Sequence, residues 1–414
     1  MDPVRGASNT HTTIDPDIHR QKRRAIGPAF TEQSLRDFEP TVWRQVETFQ
    51  AQLRSFVPLD DANTGWSAPI NMAAACRHFT LDTIGAFAFG RSLDLQTKVE
   101  NRGMIDAMRA AMYVTGIVYN YPKLKPWGLS KWIKVKGGWT QQQWGALTKC
   151  LIEERLSRSV DARADMFAFA LGGKHGSDVK IPLDDLWVEA RLALLAGTDT
   201  TSAALAAAFF YLSRYPDKLE KLEKEIRTTF DSAGDIRNGA KLAQCKYLRA
   251  VIDESMRLSP PISIPLWREV MPGGLEIDGE HIPGGLDVAV SLYSIFKSAD
   301  CFPEPLRFLP ERWLDSENPY PDHLDEARHT FRPFSLGSRS CVGASLAHLE
   351  LNLLLARVVW AFDMRRPVGS DDQLGAGYFI DSSNRVTGRA EYQSIHHFTP
   401  ETEGPLLHFR ERSV

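Results

Sequence analysis

Cysteine is scarce in this 414-residue chain: Cys76, Cys150, Cys245, Cys301 and Cys341 are the only five. An odd number excludes a fully paired extracellular framework. The absence of a CxxC pair weighs against a zinc ribbon or a thioredoxin-type site. Net charge is nearly absent too. The 49 basic and 52 acidic residues leave −3, so no global field draws the protein to nucleic acid. Met1 to Asp15 lack the apolar stretch of a signal peptide or anchor, and residues 1–15 are expected to be disordered. No repeat period or low-complexity linker divides the chain. A single domain spanning 1–414 follows, with 43% hydrophobic residues to fill its core.

One stretch lacks acid altogether. Between Ala107 and Ile152 there are basic residues but no Asp or Glu, and Tyr119, Tyr121, Trp127 and Trp132 interleave with Lys123, Lys125, Lys131, Lys134 and Lys136. A basic, aromatic run of this kind suits an anionic membrane surface as well as it suits an ordinary solvated loop. Peripheral membrane contact is therefore expected near Tyr119 to Lys136. No recognised nucleic-acid fold accompanies it.

Most segments carry helical spacing: Thr31 to Phe56 with Pro40 interrupting, Ile70 to Ala88, Gln141 to Ser159 and Asp217 to Thr229. Strand signals are confined to the chain after Pro260. There Leu275 to Ile282 places Asp278-Gly279 between short alternating runs, a hairpin pattern, and a weaker β region follows Tyr378. From Asp184 to Tyr215 no proline occurs, and Pro216 provides the stop. A helix of that length extends about 48 Å, enough to cross a domain. Its centre is apolar enough to span a membrane, but Asp199 among four hydroxyl residues opposes that, so a buried central helix is expected.

Four segments carry chemistry. The first is Phe334-Ser-Leu-Gly337-Ser-Arg339-Ser-Cys341-Val-Gly343, followed by an apolar helical run. Its cysteine sits at a helix N-terminus, where N–H groups and the helix dipole stabilise a thiolate. Glycines let a flat partner approach closely. A single soft thiolate suits haem iron and favours O–O cleavage; a lone cysteine is otherwise a small core residue. The second, Glu254-Ser-Met-Arg257, puts both charges on one helix face. The third, Pro310-Glu-Arg312-Trp313, supplies an arginine that could complete a buried Glu254–Arg257–Arg312 network holding the Cys341 loop, a structural role. The fourth is Ala196-Gly197-Thr198-Asp199-Thr200-Thr201. Its glycine invites a bulge and a groove, in which Asp199 and Thr200 could relay protons. Back-bonding of the hydroxyls explains Thr but not Asp.

These segments in this order resemble the cytochrome P-450 haem-thiolate monooxygenases, most of all fungal enzymes of secondary metabolism. The resemblance implies a mainly α fold with small β-sheets, a cytochrome P-450-type helical haem domain. It makes Cys341 the axial iron ligand within the signature Phe334, Gly337, Arg339, Cys341 and Gly343. Asp199 and Thr200 become the acid–alcohol pair of oxygen activation. His19, Arg23, Arg268 and Arg339 become contacts of the haem propionates. It further implies insertion of one oxygen atom into a hydrophobic small molecule, with electrons from NADPH through a flavoprotein reductase. Arg20, Lys22 and Arg24 are the expected docking face for that reductase. Only 18 residues precede His19, where the family carries an N-terminal anchor, early helices and most of a β-sheet. A shortened member is thus expected; family members usually sit on the cytosolic face of the endoplasmic reticulum. Two other readings stay open, a haem-thiolate isomerase or dehydratase and an inactive remnant without stable haem.

Overall fold

A computed structural model describes residues 7–56, 65–121, 141–160, 165–172, 179–380 and 386–412. The basic run from Lys123 to Lys136 lies outside the described residues. Thirteen α-helices are described. The first six are α1 (Pro16–Ile26), α2 (Glu32–Ser55), α3 (Met72–Phe89), α4 (Met104–Asn120), α5 (Gln141–Leu156) and α6 (Met166–Ala170). The others are α7 (Leu183–Arg214), α8 (Pro216–Thr229), α9 (Ala240–Ala243), α10 (Lys246–Leu258), α11 (Leu292–Ile295), α12 (Leu324–Thr330) and α13 (Ala344–Ala361). The strands are short: β1 (Ile70–Asn71), β2 (Arg268–Glu269), β3 (Leu275–Ile277), β4 (Glu280–Ile282), β5 (Asp287–Val288) and β6 (Phe362–Arg365). The tail adds β7 (Ala376–Ile380), β8 (Val386–Tyr392), β9 (Ser394–His396), β10 (Pro400–Thr402) and β11 (Leu406–Glu411).

Helix α7 is the axis. It runs 32 residues without interruption, and from Ser202 to Leu212 every side chain is buried. It lies against α3, with α2, α10 and α13 closing the core around Phe79, Phe209, Leu353 and Leu354. The approach to α3 is close because of Gly197: a Cβ there would sit 2.7 Å from Ile84 Cγ1. This glycine serves helix packing. No bulge forms at 197–201, contrary to the sequence expectation, and the α-helical pattern continues through it. Among the described residues two helices, α7 and α13, are long and apolar enough to cross a membrane, and most of each apolar window is buried in the protein.

Pro40 does not interrupt α2 either. It stands on the exposed side, where the carbonyl four residues earlier can bond to water. Meanwhile Leu35, Val42, Val46, Phe49 and Leu53 keep the opposite stripe buried.

The β3–β4 hairpin forms as expected. Asp278 and Gly279 both adopt positive φ, 51° and 83°, which a two-residue turn of this kind requires. The tail strands also appear. One strand lies before Pro260 after all: Ile70 and Asn71 pair with Leu407 and Leu406, adding β1 to a sheet of order β1-β11-β6. Two residues running straight into the Asn71 cap of α3 leave no alternation to read. Residues 7–15, expected to be disordered, are tied down. The backbone N–H and hydroxyl of Thr10 both donate to buried Glu189 of α7, and Lys22 Nζ donates to the Ser8 carbonyl.

Candidate active site

The segment Phe334 to Gly343 turns sharply to reach the start of α13. Ser335 and Gly337 have φ of 60° and 71°, and Gly337–Arg339 forms one 3₁₀ turn. The Cys341 N–H donates to the Phe334 carbonyl at 2.9 Å, closing the loop. Gly343 then caps α13. Burial pushes the Cys341 thiol above its ordinary range, opposed by N–H groups of Gly343 and Ala344 and by the charge of Arg23. Yet the residue is solvent-accessible. A group ringed by protein and still open to solvent lies on the floor of a recess. A Cβ on Gly343 would stand 3.9 Å from both the sulfur and the Phe30 ring.

The rim of that recess is cationic. His11 is held below its usual pKa by burial and then by Arg268 and Arg339. His19 is lowered by burial, then by Arg339 and Arg23. Arg268 donates to the carbonyls of Leu266 and Trp267; Arg339 donates to those of Thr13 and Ile14 at 2.6 and 3.0 Å. Among the described residues, no carboxylate pairs with Arg23, Arg268 or Arg339. Nor does any described cluster of three His, Cys, Asp or Glu side chains suit a bare metal ion. One thiol beneath a ring of uncompensated cations fits a flat macrocycle that takes a single axial ligand and carries its own carboxylates. Four of the contributors, His19, Arg23, Arg268 and Arg339, were named from sequence. His11 was missed, because nothing in a polar leader segment marks it.

Asp199 and Thr200 stand on different sides of α7, as neighbours about 100° apart on a helix must. Thr200 is half-buried, and its hydroxyl donates to the Ala196 carbonyl at 2.7 Å. Leu192, Ala196 and Thr200, four residues apart, form a stripe of α7 that stays partly open. Asp199 turns inward. Thr399 Oγ1 donates to its Oδ2 at 2.7 Å, and Arg77 Nε lies 3.7 Å from Oδ1. Burial raises its pKa, with Arg77 and Thr399 pulling the other way. No hydrogen bond joins Asp199 to Thr200.

Glu254 stands at the centre of a buried network. Arg257 grips both carboxylate oxygens at 2.9 Å, Arg312 Nε reaches Oε1 at 3.1 Å, and Trp313 Nε1 and the Leu309 N–H add two more bonds. The arginines extend outward to carbonyls of Phe296, Pro303 and Pro305, pinning the segment that precedes the cysteine loop. On α1, Lys22 is not on a docking face: it is buried and ion-paired with Asp185 at 2.9 Å. Arg20 and Arg24 remain exposed.

The family described as "Cytochrome P450" matches residues 8–375. The chain belongs to the cytochrome P450 family. Among curated P450s, the monooxygenase apf7 of Gibberella fujikuroi is 33% identical over 99% of this chain and 79% of its own length. Monooxygenase atnE of Emericella nidulans is 34% identical over 99% and 78%. A P450 monooxygenase of Gibberella zeae is 32% identical over 99% and 93%. The solved cytochrome P450DA heme domain superposes with a TM-score of 0.73 at 18% identity, covering 98% of this chain and 80% of that one, which shows the P450 fold. The chain is accordingly a P450 monooxygenase, an oxidoreductase whose cofactor is thiolate-bound haem, and it takes electrons from a redox partner. Neither the isomerase nor the remnant reading draws support from these relatives.

Proposed function

We propose that Cys341 is the thiolate that holds the haem iron, and that Phe334, Gly337 and Gly343 shape its cradle. His19, Arg23, Arg268 and Arg339 face the haem carboxylates, and Glu254, Arg257 and Arg312 keep the cysteine loop in place. Bound haem supplies oxygen binding and O–O cleavage. The protein orients a hydrophobic substrate along the open stripe of α7, where only Thr200 is polar, and brings protons in through Asp199 and Thr200. We assign the substrate to the small molecules of fungal secondary metabolism and the electrons to an NADPH-dependent flavoprotein reductase. The basic, aromatic run near Tyr119 to Lys136 is assigned to an anionic membrane surface; co-sedimentation with anionic but not neutral vesicles checks it.

The observation that carries this reading is the single thiol on a recess floor under a cationic rim. Protein expressed with ample haem precursor, reduced under carbon monoxide, is expected to show the red-shifted Soret peak of a cysteinate adduct. Cys341→Ala is expected to lose that peak, and a wild-type spectrum without it refutes the assignment.

A further inference from the structure

Thr399 and Glu401 lie two hundred residues beyond Asp199 and belong to none of the segments that marked the site. They stand in and beside the turn that joins β9 to β10. From that turn Thr399 reaches down to Asp199 at 2.7 Å. On its other side Glu401 reaches outward: Oε1 is 3.3 Å from Arg109 Nε of α4, and Oε2 is 3.8 Å from His397 Nε2. The turn itself is pressed onto α4. His397 meets the Tyr113 ring edge-on at 5.0 Å and Phe398 meets Tyr119 at 5.4 Å. Gly116 lies so close that a Cβ there would be 3.1 Å from the His397 backbone.

We propose that the 397–401 segment, the turn and the start of β10, is a positioning element for Asp199, with Thr399 fixing the carboxyl group and Glu401 tying its orientation to helix α4 through Arg109. This rests on the reading of Asp199 as a proton carrier. The charges facing Asp199 are balanced but loosely joined: Arg77 from α3, Arg109 from α4 and Glu401 from β10 all act on it. Neither Arg77 Nε nor Arg109 Nε makes a hydrogen bond, although both atoms are buried. Among the described residues, only the Thr399 hydroxyl is within hydrogen-bond distance of the Asp199 carboxylate, so it decides which way the group points. Movement of α4 would pull on Glu401 and, through Pro400, on Thr399.

The test is infrared titration of the holoenzyme labelled with ¹³C-aspartate, taking the signal lost in Asp199→Asn as that of Asp199. Removing a donor to the charged form raises a carboxyl pKa, while removing a nearby anion lowers it. Thr399→Val is therefore expected to move the midpoint up by about one pH unit, with Thr399→Ser restoring it. Glu401→Gln is expected to move it down and to speed amide hydrogen exchange in α4. An unmoved midpoint in Thr399→Val, or a Ser variant that does not restore it, overturns the proposal. Should Thr399→Val fail to bind haem, Glu401→Gln decides by amide exchange: faster exchange in both α4 and the 397–399 turn is expected, and unchanged exchange in the turn overturns the proposal. If Asp199→Asn leaves peroxide release per NADPH oxidised unchanged, the proton-carrier reading fails, whatever the titrations show.

Discussion

Glu254 on α10 and Asp199 on α7 are both buried carboxylates facing arginines, and they are built to opposite ends. Glu254 accepts five hydrogen bonds, from Arg257 twice, Arg312, Trp313 and the Leu309 N–H. Burial works against its charge, but the two guanidinium groups prevail and hold its pKa below the usual range. Asp199 accepts one hydrogen bond, has its arginine at 3.7 Å, and is left with a raised pKa. A carboxylate saturated with donors is held in place and in its charged form; one held by a single hydroxyl is freer to turn, and burial favours its protonated form more than usual. The first suits a fixed scaffold under the cysteine loop, the second a proton path.

The largest effect should come from breaking the saturated site. Glu254→Gln leaves two buried arginines without a counter-charge, a change that costs about 3–5 kcal/mol when a buried pair is broken. Denaturant unfolding should show that loss, along with a reduced haem-bound fraction. Its pH dependence has a definite sign. Because the folded pKa is depressed, the stabilisation is complete above the ordinary carboxylate range and fades as pH falls through the folded value. The gap between wild type and Glu254→Gln should therefore close in acid. Asp199 runs the other way: its raised pKa makes the wild type gain on Asp199→Asn as pH falls. Parallel slopes for the two variants would erase the contrast.

Local chemistry made much of this legible in sequence, and distance hid the rest. Asp278-Gly279 demands its turn, and an uninterrupted apolar run stopped by Pro216 demands a long helix. Glu254 and Arg257 share a face by spacing alone. The cysteine loop was readable because the thiol, its glycines and Arg339 are adjacent in the chain. By contrast, Thr399 meets Asp199 only through the fold, and nothing in Phe398-Thr399-Pro400 signals it. Lys22 shows the same limit: a run of basic residues reads as surface, but its buried partner Asp185 lies far along the chain. Gly197 was read as a place for a groove, whereas its neighbour across the interface, Ile84, gives it a packing role.

The smallest effect on stability should come from the loosest group of all. Among the described residues the Thr200 hydroxyl bonds only to its own helix, at the Ala196 carbonyl, and alanine is the better helix former by a few tenths of a kcal/mol. Thr200→Ala is thus expected to unfold at the same denaturant concentration as wild type or slightly above it, and to keep its carbon monoxide spectrum. Its function should nonetheless suffer, because no other polar side chain stands with Leu192 and Ala196 on the open stripe of α7. The expected signature is a severalfold rise in hydrogen peroxide released per NADPH oxidised, measured with one hydrophobic substrate for both proteins. Stability unchanged and coupling unchanged would remove Thr200 from the proton path and leave Asp199 to reach the recess by another route.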